Sequence, residues 1–284
     1  MMTGKIKLLL EMIKFEHTIF ALPFAFTGAV LAANGMPPWV TLFWITVAMV
    51  GARSAAMGYN RLVDREFDAV NPRTKDRALP LGLVTPRQVI IFTAVSSLLL
   101  VAASFMLNRL AFFLSPLALA VVFFYSYTKR FTAFSHAFLG LAISLAPIGA
   151  WIAVTGRLDA PALVLGIAVL FWLVGFDVLY ALQDVEFDNN AGLHSIPRLV
   201  GVRRALWISR AAHAVTVVAL IVLSAVLTLG WFYLLGVIIA AGLLVYEHSL
   251  VKEDDLSKLN IAFFNMNGYL SVAIFLFTLL EVLL

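Results

Sequence analysis

Two short segments of the sequence carry aspartates at a spacing suited to holding a divalent cation. The first reads Asn60-Arg-Leu-Val-Asp64-Arg-Glu-Phe-Asp68 and the second Tyr180-Ala-Leu-Gln-Asp184-Val-Glu-Phe-Asp188. Both contain D-x-E-F-D, 120 residues apart. On a helix, residues four apart lie one turn from each other on one face, so each segment presents a pair of carboxylates. At ~100° per residue, Arg53, Asn60, Asp64 and Asp68 fall within an arc of ~80°, and Asp177, Asp184 and Asp188 within a comparably narrow one. Glu66 and Glu186 point off these stripes and read as solvated.

Four facing carboxylates repel strongly at low dielectric unless cations lie between them. Mg²⁺ meets that need: it takes oxygen ligands, keeps several waters, and is usually held by few carboxylates together with substrate phosphates. Zinc-type donors are missing, because there is no Cys and the five histidines (His17, His136, His194, His213, His248) show no ligand spacing. Beyond Asp68 runs Asn71-Pro-Arg73-Thr-Lys75-Asp-Arg77-Ala-Leu-Pro80-Leu-Gly82. Its cations, Arg73, Lys75 and Arg77, could hold a diphosphate bridged to the metals, Arg through a bidentate fork and Lys as a point charge. Pro80 and Gly82 fix a turn. Two plainer readings stand beside these. An aspartate pair can simply cap a helix end against Arg61 and Arg65, and the basic loop can be an ordinary topology signal.

The elements that must position these residues are membrane helices. Of the 284 residues, 62% are hydrophobic and 13% charged, with a mean hydropathy of +0.98; a soluble domain is about 25% charged. Nine apolar runs are long enough to cross a bilayer: about 15–34, 39–60, 88–108, 110–128, 131–154, 161–182, 205–229, 231–250 and 260–283. The expected architecture is an all-α membrane protein, one bundle of nine transmembrane helices over residues 1–284. Of the 20 Lys and Arg, 18 lie in or beside the N-terminal segment and the 2–3, 4–5, 6–7 and 8–9 connections; Arg109 and Arg157 are the exceptions. That asymmetry puts the N-terminus and the long loops in the cytoplasm and the C-terminus opposite, and it accounts for the basic pI without a nucleic-acid partner. No signal peptide is expected. Only the connections near 61–87 and 183–204 are long. Each follows an even-numbered helix and carries one D-x-E-F-D segment, so the motif regions 60–87 and 180–204 read as an internal repeat with the site between them.

With the topology in place, the motifs resemble those of the UbiA-type intramembrane prenyltransferases. Asn60 to Gly82 matches that family's N-x-x-x-D-x-x-x-D, R-T and R-x-L-P-x-G pattern; Tyr180 to Asp188, with Gly192-Leu-His-Ser195 beyond, matches its second motif; and Tyr125-Ser-Tyr-Thr-Lys129 matches its Y-x-x-x-K. The resemblance extends over essentially the whole chain. It implies that both aspartate motifs bind the diphosphate of a polyprenyl diphosphate through Mg²⁺, and that its departure leaves an allylic cation that alkylates an acceptor. A bilayer chamber admits the isoprenoid and keeps water from the cation. By the same resemblance Asn60, Asp64 and Asp68 serve one metal and Asp184 and Asp188 the other. Lys129 contacts the diphosphate or the acceptor, with Tyr125 one turn earlier. Arg130 is a candidate for an acceptor carboxylate or a topology-setting charge. Arg53 and Asp177, charges inside apolar spans, could pair across the bundle, or Arg53 could bind the acceptor's carboxylate. Lys14, Glu16 and His17 resemble a position at the chamber mouth and equally suit an interfacial cluster.

The Y-A-L-Q-D run resembles the branch that prenylates 4-hydroxybenzoate for ubiquinone. That branch usually has Asp after the motif Asn, where this chain has Arg61. Asn-Arg-Leu-Val-Asp, with Gly192-Leu-His-Ser-Ile-Pro197, looks closer to relatives assigned to the futalosine route of menaquinone synthesis, whose acceptor is a dihydroxynaphthoate. Both acceptors are small aromatic carboxylates bearing a phenolic oxygen. The rival in another class is a Mg²⁺-dependent transporter using the acidic stripes as its cation site. It needs a polar path through several spans, and helices 3, 4, 5 and 9 carry almost no such residues. A membrane alcohol phosphotransferase would need D-G-x-x-A-R, which is not present.

Overall fold

The computed structural model describes residues 8, 11–12, 18–259 and 262–284. The described residues are helical, with no strand: α1 Thr18–Ala33, α2 Trp39–Val63, α3 Arg65–Val70, α4 Pro86–Leu107, α5 Arg109–Thr128, α6 Ser135–Thr155, α7 Ala160–Ala181, α8 Val185–Asn190, α9 Ile196–Val200, α10 Val202–Leu227, α11 Trp231–Leu250 and α12 Asn267–Leu283. Seven of these elements are long and apolar enough to cross a membrane, and the chain is an integral membrane protein. Ala21–Ala33 and Asn267–Leu283 are shorter apolar helices. They stand where the first and ninth spans are expected. At 1.5 Å per residue, 17 residues give about 25 Å, less than the ~30 Å hydrocarbon core. A π-helical turn, Ala262–Met266, precedes α12. Lys14, Glu16 and His17 lie outside the described residues.

Sequence punctuation sets the helix starts. Thr85 forms a capping box with Gln88, and Pro86 occupies the first turn of α4, where its missing N–H leaves no bond unmade. Asn108 accepts from Ala111 N at 2.9 Å to start α5, and its amide donates to the Ile152 carbonyl at 2.8 Å, tying that end to α6. Gly156 closes α6 in the left-handed region at φ 68°.

The helices close into a ring. α2 packs on α4 and α5, α5 on α6, α6 on α7, α7 on α10, α10 on α11, α11 on α12, and α12 on α1, which also lies against α6. α2 and α4 approach closely because Gly51 faces the backbone of Ser96 and Leu100, where a Cβ would collide. α7 is the most enclosed span, with 61% of its apolar window buried. It is hydrophobic on every side, as an inner helix must be. Its Leu165, Val169 and Trp172 anchor the main core with Phe24, Leu220, Leu223 and Ile274.

α2 and α7 end similarly, although a 3-10 turn over Leu182–Asp184 follows the end of α7 at Ala181. Asp64 breaks the first helix at φ −92°, ψ 6°, and Asp184 the second at φ −101°, ψ 2°, each followed by a six-residue helix. Both sit in the sparsely allowed bridge region that active-site residues often occupy.

Candidate active site

Because α2 and α7 break at matching points, both aspartate motifs open on one cavity of about 280 Å³. Its lining includes Asn60, Asp64 and Asp68 from the first segment, Asp184 and Asp188 from the second, Tyr125 and Lys129 from the end of α5, and Arg130 just beyond. Arg73, Arg77 and Asp177 line it as well. Two residues expected at the site do not. Lys75 is exposed on the turn between α3 and α4, and Arg53, half-buried on α2, lies outside the lining. The intervening Glu66 and Glu186 are exposed, as their position off the stripes predicts.

Each motif carboxylate has a partner. Asn60 donates to Asp64 at 2.8 Å, and Arg130 reaches Asp64 at 3.3 Å while also donating to the Val63 carbonyl at 2.8 Å, so it caps the end of α2. One nitrogen of Arg77 bridges both oxygens of Asp68 at 2.7 and 2.8 Å, with Arg61 at 3.8 Å. Arg73 crosses to the other segment and grips Asp184 with a two-pronged fork, at 3.0 Å from Nε and 2.6 Å from Nη2. Its guanidinium also lies 5.4 Å from the centre of the Tyr180 ring. Asp188 accepts from the Ser195 hydroxyl at 2.7 Å, and Ser195 in turn caps α9. Deeper in the bundle, Asp177 is held by His136 of α6 at 2.7 Å, where the sequence suggested Arg53.

Sequence reasoning passed over three contributors. Arg61, in sequence a helix-end partner and a marker of the acceptor branch, is 5% exposed and lines the cavity. Ser195 was quoted within a motif but given no role. His136 gave no spacing signal, because its partners, Asp177 and the backbone of Ile196, lie 41 and 60 residues away.

The electrostatics follow from this inventory. Among the described residues of the lining, five carboxylates (Asp64, Asp68, Asp177, Asp184, Asp188) face five cations (Arg61, Arg73, Arg77, Lys129, Arg130), so their formal charges cancel. Burial pushes the Asp64 carboxyl above the ordinary aspartate range, against the opposing pull of Arg130 and the Asn60 hydrogen bond. Burial works against the charge of Arg73, yet its hydrogen bonds to Asp184 hold it above the ordinary arginine value. A cavity balanced in this way could take a dication and a polyanion together: the carboxylates would hold the metal, and the arginines so released would hold the polyanion.

The donors fit Mg²⁺. Asn60, Asp64, Asp68, Asp184 and Asp188 offer oxygen only. Among the described residues no three acidic or histidine side chains converge tightly enough to chelate a metal unaided. Few carboxylates per ion, completed by phosphate oxygens and water, is the coordination Mg²⁺ adopts with phosphorylated substrates.

Known proteins resemble this chain over most of its length. The sequence profile of the UbiA prenyltransferase family matches residues 21–269. The 4-hydroxybenzoate octaprenyltransferase of Vibrio parahaemolyticus is 35% identical over 254 residues, covering 86% of each chain. The apo structure of a UbiA homolog from Aeropyrum pernix K1 superposes with a TM-score of 0.85 at 31% identity, over 94% of this chain and 98% of that one. The UbiA homolog from Archaeoglobus fulgidus bound to DMAPP and Mg²⁺ shares the fold, with a TM-score of 0.72 at 18% identity over 97% and 99% of the two chains.

Proposed function

The chain belongs to the UbiA prenyltransferase family and is a prenyltransferase, and from that premise we propose that it transfers a polyprenyl group from polyprenyl diphosphate to a small aromatic carboxylate, with Mg²⁺, in quinone biosynthesis. The observation that carries this reading is the charge-balanced cavity between the two aspartate motifs, with its five carboxylates and five cations. A prenyl diphosphate bound with its metal matches that inventory, whereas a bare cation would leave the arginines without anions. The Mg²⁺-dependent transporter is therefore the weaker reading.

In the proposed roles, Asn60, Asp64 and Asp68 hold one Mg²⁺ and Asp184 and Asp188 the other. The bound metal neutralises the diphosphate and makes it a better leaving group. Arg73 and Arg77 take diphosphate oxygens as the carboxylates release them, and Arg73, with its fork already formed, is the better placed for bidentate contact. Lys129 adds a point charge beside Tyr125. Met57, Phe67, Leu139, Phe187 and Leu193 supply apolar lining that keeps water from the reacting carbon. Arg53, on α2 below Asn60, is proposed for the acceptor carboxylate. Nine helices cross the membrane in this reading, with the termini on opposite sides and the cavity open to the cytoplasm of a bacterial inner membrane; residues 1–284 form one domain whose motif regions are a repeat.

4-Hydroxybenzoate is the acceptor that similarity to the curated octaprenyltransferases supports. A dihydroxynaphthoate is the alternative, supported by Arg61 directly after Asn60, where the 4-hydroxybenzoate branch usually has Asp, together with Gly192-Leu-His-Ser-Ile-Pro197. One assay tests both. Purified protein is incubated with Mg²⁺, a long-chain prenyl diphosphate and either acceptor, and prenylated product is sought. Product from one acceptor assigns the branch; no product from any aromatic acceptor, with Mg²⁺-dependent flux in liposomes instead, would refute the proposal.

A further inference from the structure

Joining a prenyl group to an aromatic ring releases a proton from the ring carbon that is attacked, and a chamber that excludes water must supply a base for it. The four motif aspartates are engaged by arginine, asparagine or serine and are proposed here as metal ligands. Asp177 is the one carboxylate in the lining outside the two motifs. Resting on the aromatic-acceptor reading above, we propose that Asp177 takes this proton and that His136 positions it.

The geometry gives each of the two a distinct part. Asp177 lies on α7, seven residues before Asp184 in the turn that follows that helix, and about 10 Å deeper at ~1.5 Å per residue. It therefore lies below the diphosphate end of the cavity, on the side where an acceptor ring must meet the prenyl chain. The Asp177 side chain keeps 19% of its surface open, whereas His136 is fully enclosed. Only the carboxylate can touch substrate.

The imidazole state follows from its partners. The Ile196 backbone N–H donates to His136 Nε2 at 3.3 Å. An amide nitrogen cannot accept, so Nε2 carries no proton and Nδ1 does. Nδ1–H therefore donates to Asp177 Oδ2 at 2.7 Å. One oxygen is fixed by a neutral donor, and the other is left for a ligand. Among the described residues, the groups acting on Asp177 are the neutral imidazole of His136 from α6 and two cations, Lys129 from the end of α5 and Arg73 from the α3–α4 segment. An ionised carboxylate inside a membrane span is costly and is usually retained for function. A purely structural ion pair would enclose both members; here one member faces the cavity.

The step balances without any further reactant. A ring carbon forms a bond to the first prenyl carbon, and that carbon's bond to the diphosphate oxygen breaks, the diphosphate leaving with the electron pair. The C–H electron pair returns to the ring, and its proton passes to the free oxygen of Asp177. His136 stays neutral throughout and keeps its proton on Nδ1. Asp177 returns its proton to water that enters once the products have left the cavity.

The test separates proton removal from substrate binding. General-base catalysis contributes about 10²–10⁴-fold, so Asp177→Asn should lower kcat for transfer by about 100-fold or more. Affinity for a non-reacting prenyl thiodiphosphate in Mg²⁺ buffer should hardly change. With proton removal now limiting, an acceptor deuterated on the ring should react measurably more slowly than the protonated one in D177N, and much less so in the unmodified enzyme. His136→Ala should show the same isotope effect in milder form. His136→Asn, which keeps an N–H near the Nδ1 position, should recover much of the lost kcat. Unchanged kcat in D177N overturns the proposal, and so does loss of thiodiphosphate binding by folded D177N. If D177N does not fold, the isotope effect in His136→Ala decides, and its absence overturns the proposal. If the unmodified enzyme prenylates no aromatic acceptor, the functional reading itself has failed and this inference falls with it.

Discussion

At Asp64 and at Asp184 a membrane helix stops in nearly the same backbone conformation, turns through D-x-E-F-D and continues as a six-residue helix. The surroundings of the two turns differ. The first is crowded with its own cations: Arg77 and Arg61 on Asp68, and Arg130 on Asp64. The second borrows its one arginine, Arg73, from the first segment and meets Asp188 with a neutral hydroxyl. Two turns of one backbone design have thus divided the work. In the proposed reading, the first half carries the groups that grip an anion. The second half, with Asp177 and His136 below it, holds two carboxylates met by neutral donors, Asp188 and Asp177, and is the half proposed to serve metal and proton. An internal echo in sequence therefore does not imply two equivalent half-sites.

The strongest way to break this comparison is to remove one carboxylate from each turn. Asp64→Ala and Asp184→Ala should each lower turnover by at least about 10³-fold, equivalent to about 4 kcal/mol of transition-state stabilisation, while the protein stays folded and monodisperse in detergent. Retained activity in both variants would remove the two-motif metal site. If only one variant is silent, a single motif carries the metal and the division of work is sharper than drawn here. The arginines come next. Arg73→Ala removes the bidentate contact that joins the two segments, and hydrogen bonds to charged groups are worth about 1.5–3 kcal/mol. KM for the prenyl diphosphate should rise about 10–100-fold. Arg73→Lys should recover only part of this, because a point charge cannot reproduce the fork. Ser195→Ala should do less. It deprives Asp188 of one hydroxyl, a change of about 1 kcal/mol, and the Mg²⁺ concentration needed for half-maximal activity should rise several-fold. An effect as large as that of Asp184→Ala would mean that Ser195 itself contacts metal or substrate.

The parts of this design that were legible in the sequence are those set by local periodicity. The aspartate stripes depend only on residues four apart, and the seven long helices only on apolar run length, so both are visible without a structure. Partners that meet across the bundle are not. Arg73 and Asp184 are 111 residues apart, and nothing in either neighbourhood singles out the other. His136 begins a helix among apolar residues, and its function depends wholly on α7 and α9 arriving beside it. Lys75 shows the opposite failure. Its charge suited the anion site, but the turn through residues 72–77 sends Arg73 and Arg77 inward and leaves Lys75 outside. In a tight turn, successive side chains cannot all point one way, and composition does not say which ones will.

The smallest expected effect is the most discriminating one for the comparison. Glu66 and Glu186 occupy the same place in the two D-x-E-F-D turns and are the acidic residues that any purely compositional account would rank with the aspartates. Each is exposed. The Glu66 side chain retains 83% of its surface and meets Arg65 at 3.4 Å, an exposed pair of the kind that contributes about 0–1 kcal/mol. Glu66→Ala and Glu186→Ala should therefore change kcat/KM by less than about 2-fold, with no shift in Mg²⁺ dependence, since surface substitutions usually stay within about 0.5 kcal/mol. If either variant loses activity on the scale of the aspartates, the acidic density of the turn, rather than the direction of each carboxylate, is what binds metal. The two turns would then be equivalent after all. If both are mild while Asp64→Ala and Asp184→Ala are severe, direction is what matters, and direction is set by the backbone break that the two turns share.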